Sequence, residues 1–409
     1  MRVRLIHMDD KFIILVGDGM GDYPSDRLGG LTPLEAARTP NLDRLAPIGK
    51  LGIVHTIPEG MEPGSDVANM SLLGYDPAVY HTGRAPLEAA SIGVRLQPDE
   101  VAFRCNLVCL ERDGTGEAIM ADYSAGHIST PEAREIVAAL QAACGPVLKL
   151  YAGVGFRQLL VWKGGKAELA TIPPHDISGR PIAKYDLLRD EPVLGAFSEK
   201  AARILENHPV NVRRKSEGKS PANAVWLWGQ GKAPLMPGLD RFGLRGAMVS
   251  AVDLLKGIGV YAGLEPVQVD GATGYIDTNY EGKVAAALAA LERGNFVFLH
   301  LEAPDEVSHT GDLELKVQAI EYFDERIVGP VLEGIRKFPK VRLLVATDHF
   351  TPVTLRTHST DPVPFLLVED LYSAGSGKAA RYCERQAHAA GWRLKCGEDL
   401  FRIFIDVKR

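Results

Sequence analysis

At 409 residues the chain is longer than one hydrophobic core normally supports, so we expect two domains, or one domain that carries a large insertion. Hydrophobic residues make up 46% of the sequence and charged residues 24%, which is typical of globular proteins, and a net charge of -6 gives no general reason to expect nucleic acid or membrane binding. The five cysteines are an odd number without a C-x-x-C pair, which fits a reducing compartment better than a disulfide framework.

The start of the sequence and its hydropathy predict a cytoplasmic protein. The apolar run FIILVG leads directly into an acidic turn and has no small-residue cleavage site after it, so we do not expect a secretory signal. No uninterrupted apolar stretch approaches the roughly 20 residues that a bilayer-spanning helix needs.

The first predicted elements are a buried strand and two short helices. The stretch FIILVGDG places Asp18 directly after its apolar run. Thr32 and Glu35 form a capping-box helix start around a proline, and Thr39 with Pro40 predicts a second helix start.

Ser65 lies between a glycine and an aspartate in the stretch EPGSDVANMSLLGYDP. By local sequence Ser65 is a good helix N-cap, and Asp66 suits the positive end of the helix dipole. Val67, Met70 and Leu73 give the following turns an apolar face. The local pattern therefore favours a structural cap, with a reactive hydroxyl as the alternative.

The pattern changes between about residues 90 and 240. RCNLVCLERDGTGEAIMADY predicts a hairpin with an Asp-Gly turn, a helix begins near STPEAREIVAAL, and RQLLVWKGG and KAELATI predict further strands. We therefore predict a smaller α+β domain at residues 89–239, inserted into a discontinuous domain formed by residues 1–88 and 240–409. The polar segment VRRKSEGKSPAN resembles a linker, and we expect its Arg213 and Arg214 to be solvated.

Two further apolar runs complete the predicted sheet. FVFLHLEAPDE places Asp305 after one run, RLLVATDH places Asp348 and His349 after another, and helical spacing at residues 284–293 and 313–336 alternates with them. Continuous apolar runs of this length fit a parallel sheet that helices cover on both faces. Ligands bind beyond the carboxyl ends of such strands, so we expect the aspartates on one rim of the sheet.

The residues on this rim are of types that bind metal ions. Asp305 and His309 are four residues apart in APDEVSHTGD, and His358 follows in LRTHSTDP. Asp18 and Ser65 add oxygen ligands from the first half of the chain. This mixture of carboxylate and imidazole suits Mn²⁺, Zn²⁺, Co²⁺ or Fe²⁺. Each residue alone has a structural explanation, so the joint pattern is what predicts a metal centre.

The sequence resembles the cofactor-independent phosphoglycerate mutases of the alkaline phosphatase superfamily, most closely their archaeal type, over nearly the whole chain. The motifs that carry the resemblance are VGDGMGD, GSDVANMSLLGYDP, HTGRAPLEA, DYSAGHIS, GATGYIDTNYEGK, EAPDEVSHTGD and ATDHFTPVTLRTHSTDPVPF. The resemblance implies an α/β fold with an alkaline-phosphatase-like sheet core sandwiched by helices and an inserted smaller domain.

The resemblance also implies two divalent metal ions per chain, drawn from Mn, Mg, Co and Zn. The ligands it implies are Asp305, His309 and His358 for one ion and Asp18, Asp348, His349 and the oxygen of Ser65 for the other. Ser65 would then accept the phosphoryl group, because a metal ion stabilises a serine alkoxide and so makes it a nucleophile. A helix N-terminus also suits phosphate, so a cap and a nucleophile are compatible.

A mutase must also hold the dephosphorylated glycerate while its other hydroxyl attacks. The resemblance favours His127 for proton transfer, Arg157 for the carboxylate and Lys256 near the phosphate. The remaining candidates for substrate binding are Asp176, Arg180, His175, Arg213, Arg214 and Lys232. A scattered arginine is usually a surface charge, and the arginine-rich motifs of the bacterial and plant branch have no residue-by-residue match here.

Three functions remain open at this point. The leading one is interconversion of 3-phosphoglycerate and 2-phosphoglycerate through a phosphoserine in glycolysis or gluconeogenesis, with a small-molecule substrate, no nucleic acid or membrane partner, and self-association left open. The second is a phosphatase, phosphonate hydrolase or other phosphomutase on the same metal core. The third is a non-catalytic relative, which the presence of every expected ligand disfavours.

Overall fold

The structure is a computed structural model and describes residues 7–372 and 379–406. In chain order its strands are β1 (Asp10–Gly17), β2 (Lys50–Val54), β3 (Glu100–Arg112), β4 (Ala118–Asp122), β5 (Leu148–Tyr151), β6 (Arg157–Lys163), β7 (Ala224–Gly231), β8 (Gly246–Val249), β9 (Glu265–Val267), β10 (Phe296–Leu301), β11 (Lys340–Ala346), β12 (Val363–Val368) and β13 (Arg393–Leu394).

The helices alternate with these strands through most of the chain. The α-helices are α1 (Pro33–Ala36), α2 (Pro40–Leu45), α3 (Ser65–Leu72), α4 (Pro77–Tyr80), α5 (Arg84–Ser91), α6 (Thr130–Cys144), α7 (Pro192–Glu206), α8 (Pro209–Ser216), α9 (Asp253–Tyr261), α10 (Tyr280–Arg293), α11 (Ala303–Thr310), α12 (Leu313–Tyr322), α13 (Gly329–Gly334), α14 (Glu384–Ala389) and α15 (Gly397–Phe404). Among the described residues, none of these helices is long and apolar enough to cross a membrane.

The chain divides into two compact units. Unit 1 comprises Met1–His81 and Leu235–Arg409, and unit 2 comprises Thr82–Pro234. The boundaries predicted from the sequence, after residues 88 and 239, lie a few residues further along the chain.

Unit 1 is built on a sheet with the strand order β13-β2-β12-β11-β1-β10-β8-β9. β1 pairs in parallel with both β10 and β11, as the three apolar runs predicted. Among the described strands of this sheet, only β12 runs antiparallel to its neighbours. The carboxyl ends of β1, β10 and β11 therefore meet at one rim.

Helices cover both faces of this sheet, and β1 is therefore buried at every position. On one face Ile13 and Leu15 join a core that includes Val284 of α10 and Ile320 of α12. On the other face Phe12 packs edge-to-face on a phenylalanine of α15, with ring centroids 5.7 Å apart. This arrangement is the predicted α/β sheet core sandwiched by helices.

The helix predicted over residues 313–336 is interrupted. α12 ends at Tyr322, and the chain continues as a π-helix over Phe323–Val328 before α13 begins. Within the π-helix the buried Asp324 carboxylate accepts hydrogen bonds from the backbone N–H groups of Asn41 and Leu42 in the first turn of α2. That partner lies far away in the chain, so helical spacing alone could not predict the interruption.

Unit 2 contains the antiparallel sheet β4-β3-β6-β5, with β7 paired to β3. β3 and β4 form the predicted hairpin, and the predicted helix is α6, which Ser129 and Glu132 begin with a capping box. α6 and α7 contribute to a separate hydrophobic core that includes Phe103, Leu140 and Phe197.

Two predictions in unit 2 are wrong. The run KAELATI is not a strand, because the Gln230 side chain donates to the backbone carbonyls of Ala167 and Leu169 and takes the place of a neighbouring strand. The supposed linker is partly helical, since α8 extends to Ser216, and Arg214 is buried rather than solvated.

Candidate metal centre

The rim at the ends of β1, β10 and β11 gathers three buried carboxylates. Asp18 directly follows β1, Asp305 lies in the first turn of α11 after β10, and Asp348 follows β11. Their exposed fractions are 2%, 6% and 0%. In the described part of the chain, no lysine or arginine forms an ion pair with any of them. Buried carboxylates without such partners are costly, so the rim calls for cations.

Asp305, His309 and His358 form the first group of metal-ligand atoms. The Nε2 atom of His309 is 3.1 Å from one carboxylate oxygen of Asp305, and Nε2 of His358 is 3.4 Å from the other. The four-residue spacing within α11 places Asp305 and His309 on the same helix face. Their ligand atoms lie within 4.8 Å of one another, and these are the three residues that the resemblance assigned to one metal ion.

Asp18, Asp348, His349 and Ser65 form the second group. His349 Nε2 is 3.3 Å from Asp18 Oδ1 and 3.5 Å from Asp348 Oδ2. Ser65 Oγ is 3.2 Å from the same Nε2 and donates to Asp18 Oδ2 at 3.4 Å. Asp305 adjoins this group, because a carboxylate oxygen of Asp305, a carboxylate oxygen of Asp18 and a ring nitrogen of His349 lie within 4.8 Å of one another. The structure thus brings all seven predicted metal residues together.

The histidine rings are held as metal ligands usually are. Nδ1 of His309 and of His358 lies 3.0 and 3.3 Å from a backbone carbonyl oxygen, which requires a proton on Nδ1. Nδ1 of His349 is 3.1 Å from the Thr351 hydroxyl, which itself donates to Asp305 at 2.5 Å and so accepts from the ring. Each ring therefore turns the lone pair of Nε2 toward the carboxylates.

The buried polar atoms without hydrogen-bond partners cluster at the same place. Among the described residues they include Oδ1 of Asp18 and Nε2 of His358. Buried atoms of this kind are rarely left unsatisfied in proteins. A carboxylate and imidazole set with such free atoms fits divalent cations of the Mn, Co, Zn or Mg type.

The pKa values of the carboxylates support this fit. Burial, together with the charges of Asp348 and Asp305, raises the pKa of Asp18 well above its usual value. Burial acts in the same direction on Asp305, but the neighbouring His309 and His358 rings lower its pKa well below the usual range. The rim therefore cannot keep all its carboxylates charged unless a cation is present.

Gly19 allows the loop after β1 to approach the other two loops. Its φ is +59°, and a Cβ atom there would lie 2.4 Å from Thr351 Oγ1 and 2.7 Å from Asp305 Oδ1. Its N–H group donates to Asp348 Oδ1 at 3.0 Å. Only glycine combines this left-handed conformation with such a close approach.

A buried lysine that the sequence did not point to ties these loops together. Lys316, on α12, donates to the carbonyls of Gly21 and Thr351 at 3.1 and 2.9 Å and to Asp22 Oδ2 at 2.9 Å. It therefore links the loop after β1 to the loop after β11. The signal in the sequence was only a lysine within an apolar helix pattern.

Ser65 is not the helix cap that its local sequence favoured. Gly64 occupies the N-cap position of α3, Ser65 is the first helical residue, and no side-chain hydrogen bond caps this helix. One turn later Asn69 Nδ2 donates at 2.8 Å both to the Ser65 carbonyl and to Asp348 Oδ2. The Ser65 hydroxyl is left to face His349 and Asp18.

Sequence reasoning missed His300, which is fully buried at the same rim. Its Nε2 atom is 3.2 Å from Asp18 Oδ2 and 3.9 Å from Asp348 Oδ2. Burial opposes charge on this ring, but Asp18, Asp348 and Glu302 raise the pKa of His300 well above its usual value. The available signal was a histidine near the end of an otherwise apolar strand.

The structure places Lys256 in α9, where it is buried. Its Nζ atom is 3.1 Å from Asp253 Oδ1 and 3.4 Å from Gln268 Oε1. α9 packs against α3, the helix that begins at Ser65. Lys256 itself is not part of the two groups of ligand atoms.

In unit 2, aromatic rings join three of the predicted residues. The His127 ring lies 6.3 Å from the Phe156 ring, and the Arg157 guanidinium lies over that ring at 4.5 Å. Tyr123 packs edge-to-face on Phe156 at 5.8 Å and on His175 at 6.0 Å. We call these residues, together with Trp228 and Arg104 described next, the aromatic row.

The aromatic row continues to residues that the sequence analysis did not select. His175 packs on Trp228 with ring centroids 5.4 Å apart, and the Arg104 guanidinium lies 4.1 Å from the same indole. Arg104 is buried and pairs with Glu88 at 2.9 Å. The missed signal was an arginine inside the apolar run of β3.

Positive charge is concentrated around His175. Burial lowers its pKa, and three guanidiniums lower it further against the opposing effect of Asp176. These guanidiniums belong to Arg84, Arg104 and Arg157. Such a cluster is suited to an anionic ligand.

The other predicted substrate-binding residues of unit 2 are less clearly grouped. Asp176 is exposed, with its carboxylate 3.5 Å from His175 Nε2. Arg180 is exposed and contacts the Tyr185 hydroxyl instead of the aromatic row. Arg213 and Lys232 are exposed side chains.

Arg214 supports the loop that carries His127. It donates to the carbonyl of Ala125 at 2.6 Å and pairs with Glu132 at 2.9 Å. Ala125 and His127 both have positive φ, at 49° and 48°, which side chains rarely adopt without support. The burial of Arg214 is compatible with its charge because the Ala125 carbonyl and the Glu132 carboxylate satisfy the guanidinium.

Comparison with known proteins gives a consistent result. The family model described as 2,3-bisphosphoglycerate-independent phosphoglycerate mutase matches residues 46–211. A protein of Geobacter sulfurreducens, described as a probable enzyme of this name, is 52% identical over 400 residues, which are 97% of this chain and 100% of that protein. The enzyme of this name from Methanothrix thermoacetophila is 50% identical over 402 residues, 97% of this chain and 99% of its own.

Solved structures agree over the same length. A protein from Pyrococcus horikoshii is 31% identical, with a TM-score of 0.81 and 98% of both chains covered. A cofactor-independent phosphoglycerate mutase from Thermoplasma acidophilum is 29% identical, with a TM-score of 0.66 and coverage of 97% of this chain and 99% of its own. The chain belongs to the family of 2,3-bisphosphoglycerate-independent phosphoglycerate mutases.

Proposed function

We propose that this protein interconverts 3-phosphoglycerate and 2-phosphoglycerate through a phosphoserine at Ser65. The observation that carries the proposal is the position of Ser65 Oγ, 3.2 Å from His349 Nε2 and 3.4 Å from Asp18 Oδ2. A hydroxyl at the start of a helix, beside two groups of metal-ligand atoms, suits phosphoryl transfer. The names of relatives about half identical in sequence support the same reaction.

We also propose that two divalent cations bind per chain. Asp305, His309 and His358 would hold one, and the group around Asp18, Asp348 and His349 the other. When bound, these cations would stabilise the negative charge that develops on the serine oxygen and on the phosphoryl oxygens.

The residues of unit 1 position the phosphoryl acceptor. Asn69 holds the backbone of Ser65 and the carboxylate of Asp348 in one arrangement through its side-chain amide. The positive dipole end at the start of α3 favours an anionic group next to the Ser65 hydroxyl. In the first half-reaction Ser65 Oγ forms a bond to phosphorus and the bond from phosphorus to the glycerate oxygen breaks. In the second half-reaction the oxygen of the other glycerate hydroxyl forms a bond to phosphorus and the bond from phosphorus to Ser65 Oγ breaks. Over both half-reactions, this hydroxyl loses the proton that the first glycerate oxygen gains.

We assign the glycerate to residues of unit 2. Arg157 would bind the carboxylate, with its guanidinium already oriented over the Phe156 ring. His127, beside the same ring, would carry the proton between the two glycerate hydroxyls. Asp176 and Arg180 would contribute to substrate binding, and Lys256 of unit 1 would contact the phosphate.

An enolase-coupled assay on chelator-stripped protein tests this function, with metal ions added back one at a time. We expect no turnover of 3-phosphoglycerate without metal and recovery with at least one of Mn²⁺, Mg²⁺, Co²⁺ or Zn²⁺. Inorganic phosphate is measured in the same samples. Phosphate release without 2-phosphoglycerate would identify a phosphatase instead and would contradict the proposal.

A further inference from the structure

We propose that His300 is a direct ligand of the cation held by Asp18 and Asp348, in addition to the residues predicted from the sequence. The inference deepens the proposed function, but it requires only that a divalent cation binds at this rim, whatever reaction follows. Nε2 of His300 and the carboxylates of Asp18 and Asp348 supply three ligand atoms that lie within 4.8 Å of one another.

The proton on the His300 ring can be located from its neighbours. Nδ1 is 3.2 Å from Oε1 of Glu302. That oxygen already accepts hydrogen bonds from the Ser250 hydroxyl at 2.8 Å and from the Ala251 N–H at 2.7 Å, and the other oxygen pairs with the Lys283 ammonium, so the carboxylate of Glu302 only accepts. Nδ1 of His300 must therefore carry the proton that faces Glu302.

The charge of Glu302 is compensated away from the rim. Lys283, fully buried on α10, pairs with the second oxygen of Glu302 and also donates to the carbonyl of His300 at 3.1 Å. The pair of Lys283 and Glu302 is neutral, so it does not offset the charges of Asp18 and Asp348. Its effect on His300 is to fix the tautomer and the orientation of the ring.

In the neutral ring, whose single proton is on Nδ1, the lone pair of His300 Nε2 is directed at two carboxylates. Nε2 is buried and has no hydrogen-bond partner among the described residues, although Asp18 Oδ2 is only 3.2 Å away. A lone pair facing carboxylate oxygens is repulsive unless a proton or a metal cation lies between them. A histidine with Nδ1 on a carboxylate and Nε2 on a metal ion is a recurrent arrangement in metalloproteins.

His300 repeats the geometry of the three predicted histidine ligands. In His309, His349 and His358 an oxygen acceptor likewise holds Nδ1, and Nε2 faces the carboxylates of the rim. An added imidazole makes the second cation position softer than a set of oxygens and one histidine. It should therefore favour Co²⁺, Zn²⁺ or Mn²⁺ over Mg²⁺.

The test counts coordinated histidines directly, in the full-length protein loaded with Co²⁺. Paramagnetic Co²⁺ strongly shifts the exchangeable Nδ1–H proton of each histidine that it binds through Nε2, so each ligand gives one resolved signal in the proton NMR spectrum. We expect four such signals, one each from His300, His309, His349 and His358, all lost in deuterium oxide. Three signals would overturn the proposal.

The variant His300→Asn identifies the fourth signal, and His55→Asn serves as control because His55 is an exposed histidine of unit 1. We expect His300→Asn to remove one shifted signal and to weaken Co²⁺ binding at one position at least tenfold, and His55→Asn to change neither. A spectrum unchanged by His300→Asn would mean that the ring is protonated and only hydrogen-bonds Asp18. If the variant does not fold, the count in the unmodified protein decides.

This readout is separate from the proposed reaction. A protein with four shifted signals that lacked mutase turnover would retain the ligand assignment and lose the proposed function. A protein with three signals and full turnover would lose the ligand assignment and retain the proposed function.

Discussion

Ser65 occupies the first helical position of α3, and Gly64 occupies the cap, which determines what its removal should cost. Because the Ser65 hydroxyl caps nothing, Ser65→Ala should change the free energy of unfolding by less than about 1 kcal/mol. Mutase turnover should be abolished, since no other residue can accept the phosphoryl group. Denaturant unfolding and the enolase-coupled assay measure the two effects.

Ser25→Ala is a suitable control for this experiment, because Ser25 is also half-buried in unit 1 and its side chain makes no capping hydrogen bond. It should retain turnover. Wild-type protein quenched in acid during turnover should carry phosphate on Ser65, as detected by mass spectrometry. An active Ser65→Ala variant would refute the role of Ser65 as the nucleophile, even if both cations were found.

Arg157 can be separated from other arginines of unit 2 by its effect on substrate binding. Arg157→Ala should raise the KM for 3-phosphoglycerate at least tenfold, because a bidentate contact with a carboxylate would be lost. The melting temperature should hardly change, because Arg157 is exposed. Arg213→Ala, which also removes an exposed arginine of unit 2, should leave KM unchanged. Equal kinetics for the two variants would remove Arg157 from the site.

At the scale of elements, the loop after β1 depends on Gly19. Gly19→Ala adds a Cβ atom 2.4 Å from Thr351 Oγ1 and 2.7 Å from Asp305 Oδ1, so it should both destabilise the protein and weaken metal binding. Gly29→Ala provides the matched control, because Gly29 has a φ of +66° with nothing within 4 Å of the added atom. It should cost about 1–2 kcal/mol of stability through the backbone alone.

Calorimetric titration with Mn²⁺ distinguishes these two variants. Metal affinity should fall in Gly19→Ala and remain at the wild-type value in Gly29→Ala. If both variants bind metal normally, the close approach of the loops is not needed to shape the site.

The start of α14 predicts a pH dependence of stability. The Glu384 carboxylate accepts hydrogen bonds from Thr32 Oγ1 at 2.8 Å and from the Asp22 N–H at 3.3 Å, and burial raises its pKa from 4.5 to about 7. The folded state therefore holds a proton that the unfolded state releases, and this contribution to stability is lost as pH rises from about 4.5 to about 7.

The loss can amount to about 3 kcal/mol, because one pKa unit corresponds to about 1.4 kcal/mol. Urea unfolding of metal-free protein at pH 5 and pH 8 measures it. Glu384→Gln keeps a similar shape without the ionisation, so its unfolding free energy should fall less between the two pH values. Parallel pH profiles for the two proteins would show that Glu384 ionises without penalty.

At the scale of the whole molecule, removal of metal should act on one unit. Each unit has its own hydrophobic core, and all the metal-ligand groups lie in unit 1 among the described residues. A ligand that binds only the folded state stabilises the part that it binds. Chelation should therefore speed amide hydrogen exchange after β1, β10 and β11 and leave β3 and α6 unchanged. Mass spectrometry measures the exchange in each unit. Equal loss of protection in both units would contradict this prediction.

The positions of the three rim carboxylates could be predicted because they follow directly from chain topology. Asp18, Asp305 and Asp348 come after apolar runs, and the carboxyl ends of neighbouring parallel strands must meet. His300, Lys283 and Glu302 follow no such rule, since they are polar residues within apolar patterns and their partners come from distant segments.

The errors have the same cause. Arg214 lies in a segment with the composition of a linker, yet it is buried because the carbonyl of Ala125 and the carboxylate of Glu132 satisfy it. The segment KAELATI has the pattern of a strand but does not form one, because the Gln230 side chain donates to its backbone carbonyls. Local composition cannot reveal either partner, whereas the β3–β4 hairpin is local and was predicted correctly.

The discontinuity of unit 1 also determines the order in which the two units can fold during synthesis on the ribosome. β1 is translated first, but the two strands that flank it begin at Phe296 and Lys340, so β1 must wait for most of the chain before it can pair. Unit 2 is continuous and can fold while that wait lasts. The nascent chain thus exposes the apolar run FIILVG of β1 for much of translation, which makes β1 the segment where we expect chaperones to bind.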